Sequence, residues 1–496
     1  MAQGTACADL AALTIPDVTV NGASAVATGA FTPPNSQTAL TLPAFCRVEA
    51  TARPTSDSEI RFEVWIPAAD AWNGKFQGVG NGGYQGSISY GAMATALRRG
   101  YATASTDTGH TGDDVIFGKG HPERVIDFGW RAIHVMTDTA KLVVRNATGR
   151  FADKSYFVGC SSGGHQAMSE AQRFPKDYDG IIAGAPANNR IRQTFGFAWS
   201  WAATHNPDGT PILTPGSLSI VTQAAVAACD ARDGLKDGLI DDPRKCAFDP
   251  ATLACKGDTD ETGCLTKAQV TAIKKVYDGA RNPRTGEQIF TGWPRGSEAF
   301  GDSPIQSWRQ YIVGPREPSR IGVFRHFLFH DANWNLDSLD YDRDLAYAEA
   351  RIPHLAAVDR DLSPFKKAGG RLIMYAGWMD PVVPPQDNVA YYEAVAKTMG
   401  GYDKTRDFFR LFTAPGMGHC FGGPGPNQFD ALTALERWVE KGVAPDTLTA
   451  THTTGGKVDR TRPLCPYPQV ARYKGTGSID VAESFTCALP ARPQFR

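Results

Sequence analysis

The 496-residue chain contains no run of 18 apolar residues, so no segment of it reads as a membrane-crossing helix. Net charge is nearly absent too: 51 lysines and arginines face 52 aspartates and glutamates, a formal −1. The basic residues are scattered, without the stripe that nucleic acid or an anionic lipid surface requires. Neither is an expected partner; a small molecule is, taken by a monomer or a small homo-oligomer. Among ten cysteines no Cys-x-x-Cys occurs, which removes the usual arrangement of a thiol oxidoreductase. Internal repeats and low-complexity tracts are missing. The chain opens Met-Ala-Gln-Gly-Thr, with neither a charged n-region nor an apolar h-region. With an even cysteine count, the expectation is a secreted or periplasmic protein whose signal peptide is not in this sequence, or one exported by another route.

What is present is the composition of a folded globular protein, 42% hydrophobic and 21% charged. Its length calls for one large domain with an insertion, or for two domains. Short apolar runs at 61–66, 75–78, 101–105, 156–159, 179–184, 371–375 and 408–412 read as strands. Residues 127–146 carry apolar positions at helical spacing, and 163–173 reads as a helix that stops before Pro175. Strands interleaved with helices predict an α/β class with a mostly parallel sheet. Between 187 and 366 that rhythm stops. The segment holds four cysteines and many turn residues, and reads as an inserted lid between a first part (1–186) and a second part (367–496) of one sheet domain.

Gly159-Cys160-Ser161-Ser162-Gly163 matches G-x-S-x-G, the strand-to-helix turn that exposes a serine at the top of an α/β-hydrolase sheet. A serine hydroxyl needs a base within hydrogen-bond reach. His419, in Gly416-Met417-Gly418-His419-Cys420, follows the last predicted strand, where this fold carries its histidine. Asp380 follows another strand and is the candidate to fix the histidine tautomer. Each has a plain alternative, a solvated turn serine, a surface histidine or a turn aspartate before Pro381. The order Ser…Asp…His favours the catalytic reading. The oxyanion hole needs two amides: that of Ser162, and one from Gly80-Asn81-Gly82-Gly83-Tyr84, where Gly83 is the choice. Cysteines next to both Ser161 and His419 invite a disulfide that would hold serine and base side by side.

A second motif, Cys229 to Leu239, packs Asp230, Asp233 and Asp237 around two glycines. Hard oxygen ligands on a turning backbone suit Ca²⁺, although the spacing is not that of an EF-hand. A solvated acidic turn is the alternative. Phe324 to Trp334 forms an aromatic stretch with Arg325 inside it, suited to a ring and its carboxylate but read first as lid core.

Together, Cys160-Ser161, Asp380 and His419-Cys420 resemble the pattern of the tannase and feruloyl esterase family over nearly the whole chain. The resemblance implies a serine carboxylesterase of α/β-hydrolase fold, with a lid and no organic cofactor, acting on esters of aromatic acids. It implies a structural calcium held by Asp230, Asp233 and Asp237 with the backbone oxygens of Leu235 and Leu239. It also implies the bridges Cys7–Cys46, Cys160–Cys420, Cys229–Cys246, Cys255–Cys264 and Cys465–Cys487. Hydroxycinnamoyl (feruloyl) esters come first as substrates, ahead of gallate esters (tannase) and a terephthalate monoester. From another class, a non-catalytic, calcium-dependent binding protein would keep the fold without needing the triad.

Overall fold

The computed structural model describes residues 4–257, 263–301 and 303–490. Two compact units divide the chain. The first holds Met1–Asn188, His326–Ala332 and His354–Leu372; the second holds Asn189–Arg325, Asn333–Pro353 and Ile373–Arg496. Most of the segment expected to be a lid thus groups with the C-terminal residues.

The first unit is built on β1 (Val18–Val26), β2 (Phe45–Ala52), β3 (Ile60–Pro67), β4 (Lys75–Val79), β5 (Ala102–Thr106), β6 (Lys154–Cys160) and β7 (Gly180–Gly184), in the spatial order β1-β2-β3-β5-β4-β6-β7. From β5 through β4 and β6 to β7 the pairs are parallel. The pairs β1–β2, β2–β3 and β3–β5 are antiparallel. The sheet is therefore mixed, where the sequence rhythm suggested a mostly parallel one. The parallel strands are apolar on both faces: Phe76, Ala102, Ala104, Tyr156, Phe157, Ile181 and Ile182 are all buried. A π-helical turn at Asp127–Arg131 runs into α1 (Ala132–Thr148), which buries Ile133, Met136, Ala140, Val143 and Val144 along one stripe. Gly149, at φ 77°, ends α1 in the left-handed conformation that only glycine adopts without cost. The helix α2 (Ser162–Arg173) follows β6 directly.

β8 (Arg371–Gly377), in the second unit from Ile373 on, and β9 (Phe409–Ala414) lie side by side. Among the described residues no cysteine is free. The bridges Cys7–Cys46, Cys229–Cys246, Cys255–Cys264 and Cys465–Cys487 pair as expected, and Cys160 and Cys420 are each disulfide-bonded. Oxidised cysteines throughout belong to an oxidising compartment. Among the described residues no helix is long and apolar enough to cross a membrane.

Candidate active site

In the first unit, β6 ends at Cys160 and α2 begins at Ser162, so Ser161 is the single residue of the turn. It sits at φ 63°, ψ −116°, a left-handed conformation rare for serine and the strained elbow that G-x-S-x-G predicts. The neighbouring glycines are there for space. A Cβ on Gly159 would lie 2.4 Å from the Gly163 carbonyl carbon, and one on Gly80 would lie 2.5 Å from the Gly163 Cα. Main-chain bonds fix the turn: Ser161 N–H donates to the Gly184 carbonyl (2.9 Å) and Gly163 N–H to the Asn81 carbonyl (2.7 Å).

The two amides expected to face an oxyanion lie on adjacent segments. Ser162 is the first residue of α2, so its N–H has no intrahelical acceptor, and its hydroxyl donates to the Gly83 carbonyl. Gly83 has φ 54°. Two residues that the sequence did not single out secure this loop. Asn81 N–H donates to Gln166 Oε1 and Gln166 Nε2 donates back to Asn81 Oδ1, both at 3.0 Å. Asn81 Nδ2 donates further to the Ser87 and Thr106 carbonyls, each at 2.8 Å. The one available signal was position: Gln166 falls one helical turn after Gly163, facing the glycine run.

The second unit carries the residues expected to be the acid and the base. His419 Nδ1 lies 2.7 Å from Asp380 Oδ2, with both side chains buried. Asp380 Oδ1 accepts from the amides of Val382 (2.8 Å) and Val383 (2.9 Å), which orient it. A carboxylate accepts, so the contact calls for Nδ1 as the donor and leaves Nε2 as the free base, the tautomer that deprotonates a serine.

Also in the second unit, Asp230, Asp233 and Asp237 share one loop. Asp230 Oδ1 accepts from Asp237 N–H (2.9 Å) and Asp233 Oδ1 from Leu235 N–H (2.9 Å), while Asp237 Oδ2 pairs with Arg462 at 2.7 Å. Desolvation raises the Asp233 pKa, and burial with the nearby Asp233 and Asp242 carboxylates pushes Asp241 up to about 7. Several acids crowd together here on hard oxygen donors. Asp230 and Asp242 are buried and Asp233 is exposed, and this concentration of carboxylates at one loop fits a bound Ca²⁺. Asp241 was not foreseen. Arg325, in contrast, is engaged within its own stretch: its guanidinium grips Glu317 (2.9 and 2.7 Å), its Nε donates to the Trp334 carbonyl, and Phe324 stacks on Trp334 at 4.7 Å.

A family model described as tannase and feruloyl esterase matches residues 46–488. An uncharacterised esterase of Xanthomonas campestris pv. campestris is 40% identical, covering 99% of this chain and 92% of its own. The mono(2-hydroxyethyl) terephthalate hydrolase of Piscinibacter sakaiensis is 35% identical over 92% of this chain and 87% of its own. The crystal structure of feruloyl esterase B from Aspergillus oryzae superposes with a TM-score of 0.90 at 30% identity, covering 96% of this chain and 98% of that one.

Proposed function

The chain belongs to the tannase and feruloyl esterase family of carboxylic ester hydrolases, and on that premise we propose that it cleaves esters of aromatic carboxylic acids with Ser161, His419 and Asp380 as its triad. The observation that carries this is the buried His419–Asp380 pair, with Nδ1 2.7 Å from the carboxylate that would fix the tautomer a serine needs. Being an esterase, the chain is no longer a candidate for a non-catalytic binding protein. Ser161 Oγ attacks the ester carbonyl while His419 Nε2 takes its proton. The amides of Ser162 and Gly83 hold the oxyanion, and His419 returns the proton to the departing alcohol. Water, deprotonated by the same imidazole, then releases the acid. A Cys160–Cys420 bond would clamp nucleophile and base together. Its support is arithmetic: all ten cysteines are bonded, and the other eight pair among themselves. Residues 187–366 would serve as the lid over this site, and the protein would be exported.

Hydroxycinnamoyl esters are the first substrate choice, supported by the likeness to feruloyl esterase B. A terephthalate monoester is the second, supported by the Piscinibacter relative. A panel of methyl ferulate, methyl gallate, mono(2-hydroxyethyl) terephthalate and p-nitrophenyl acetate decides between them. Methyl ferulate should show the largest kcat/KM; a larger value on either of the other two acids would rename the substrate, and turnover of none would sink the reading.

Ca²⁺ would be held by Asp230, Asp233 and Asp237 with the Leu235 and Leu239 carbonyls, offsetting the clustered acids and bracing the loop that Cys229–Cys246 closes. EGTA should then lower Tm by about 5–10 °C, the effect of losing a ligand at hundredfold excess over its Kd. The kcat measured well below the melt should not move. Asp230→Ala should melt at the lower temperature with or without chelator. An unchanged Tm in EGTA would count against the site.

A further inference from the structure

Three groups in the first unit have no part in the chemistry above. His134 lies on α1, Glu170 in the last turns of α2, and Asp177 in the turn leading to β7. One ligand atom from each falls within 4.8 Å of the other two. Glu170 is fully buried, and among the described residues no N–H or hydroxyl donor reaches its carboxylate, whose polar neighbour is the Asp177 carboxylate. A core seldom leaves an acid so placed, because burial removes its water and nothing replaces it. Burial, and the Asp177 carboxylate beside it, hold its pKa well above the usual carboxylate range.

The surroundings are built. His134 Nδ1 lies 2.7 Å from Asp177 Oδ2, and Phe174 stacks on the imidazole at 3.6 Å with the planes 5° apart, fixing its orientation. Asp138 Oδ2, on the exposed side, is 3.6 Å from His134 Nε2 and gives the cluster an opening to solvent. The neighbouring cation is engaged elsewhere: the Lys141 ammonium donates to the Asp177 carbonyl and lies over the Tyr178 ring.

We propose that His134, Glu170 and Asp177 bind a divalent transition ion of the zinc class, separate from the calcium loop. One imidazole nitrogen and two carboxylates are a donor set zinc accepts, with water completing the shell, whereas the calcium loop offers oxygen alone. The ion would give the orphaned Glu170 carboxylate its counter-charge. It would also staple α1 to the end of α2 and to the turn before β7, about 12 Å along the helix from Ser162. Its role is to brace the elbow helix, not to enter the reaction.

The test is calorimetric titration of the chelator-stripped full-length protein with ZnCl₂, calcium being held in excess, with melting curves alongside. Wild type should take up one equivalent and gain on the order of 5 °C in Tm at hundredfold excess over Kd. Glu170→Gln and His134→Ala should each lose both effects, and Asp230→Ala should keep both. If Glu170→Gln does not fold, His134→Ala carries the comparison. Zinc uptake undiminished in these two variants would put the ion elsewhere and overturn the site, as would loss of uptake in Asp230→Ala or no uptake by wild type.

Discussion

Asp380→Asn should lower kcat by about 10⁴ and leave the fold intact. An asparagine fits the space, and its oxygen can still accept from the Val382 and Val383 amides. Its amide nitrogen would then face His419 Nδ1 as a donor, so the imidazole must turn that nitrogen into the acceptor and carry its proton on Nε2. The proton would stand where the serine proton has to go. Ser161→Ala should cost more, about a millionfold in kcat, because no nucleophile remains and only the oxyanion donors still act. Alanine tolerates φ 63° no worse than serine does, so Tm should stay near wild type. Stopped assays on the preferred ester, with Tm measured in parallel, give both numbers. Near-native turnover in either variant would remove the serine mechanism.

Where the sequence was readable, the chemistry itself imposed local spacing. The elbow needs small residues at Gly159 and Gly163 because backbone meets backbone there, so the motif survives as a string. His419 and Asp380 sit on turns just past β9 and β8, and a strand-then-turn pattern is local as well. What escaped were pairings between distant residues. Asn81 and Gln166 are 85 positions apart, and Asp237 meets Arg462 across 225. Glu63, in the middle of the apolar strand β3, accepts from Arg47, Trp65 and Tyr90, each at 2.8 Å. The antiparallel strands β1 and β2 were missed for a related reason. Their polar residues alternate weakly, and their identity as strands comes from register with β3 and not from their own pattern. Arg325, in a stretch read first as core and only second as a ring contact, is paired with Glu317.

The double variant Cys160→Ser/Cys420→Ser should lose about a hundredfold in kcat at temperatures where it stays folded. Two facts argue that the proposed bond does more than stabilise. Ser161 (φ 63°) and Cys420 (φ 65°) both occupy the left-handed region, each at a cost of about 1–3 kcal/mol, and such conformations persist only when their surroundings impose them. Each lies next to a proposed end of the bond or is one. The four remaining bridges close separations of only 9 to 39 residues, whereas this one would tie position 160 to 420 and so carry the largest loop-closure constraint in the chain. Release should let the nucleophile and base drift, and a misplacement of about 1 Å is enough to cost a hundredfold. KM should change little, because neither cysteine is a proposed substrate contact. Cys255→Ser/Cys264→Ser, which opens a short loop, should lower Tm while leaving kcat alone. If the first pair also lowered only Tm, with full turnover below the melt, the bond would be a stabiliser and the base would hold its place without it.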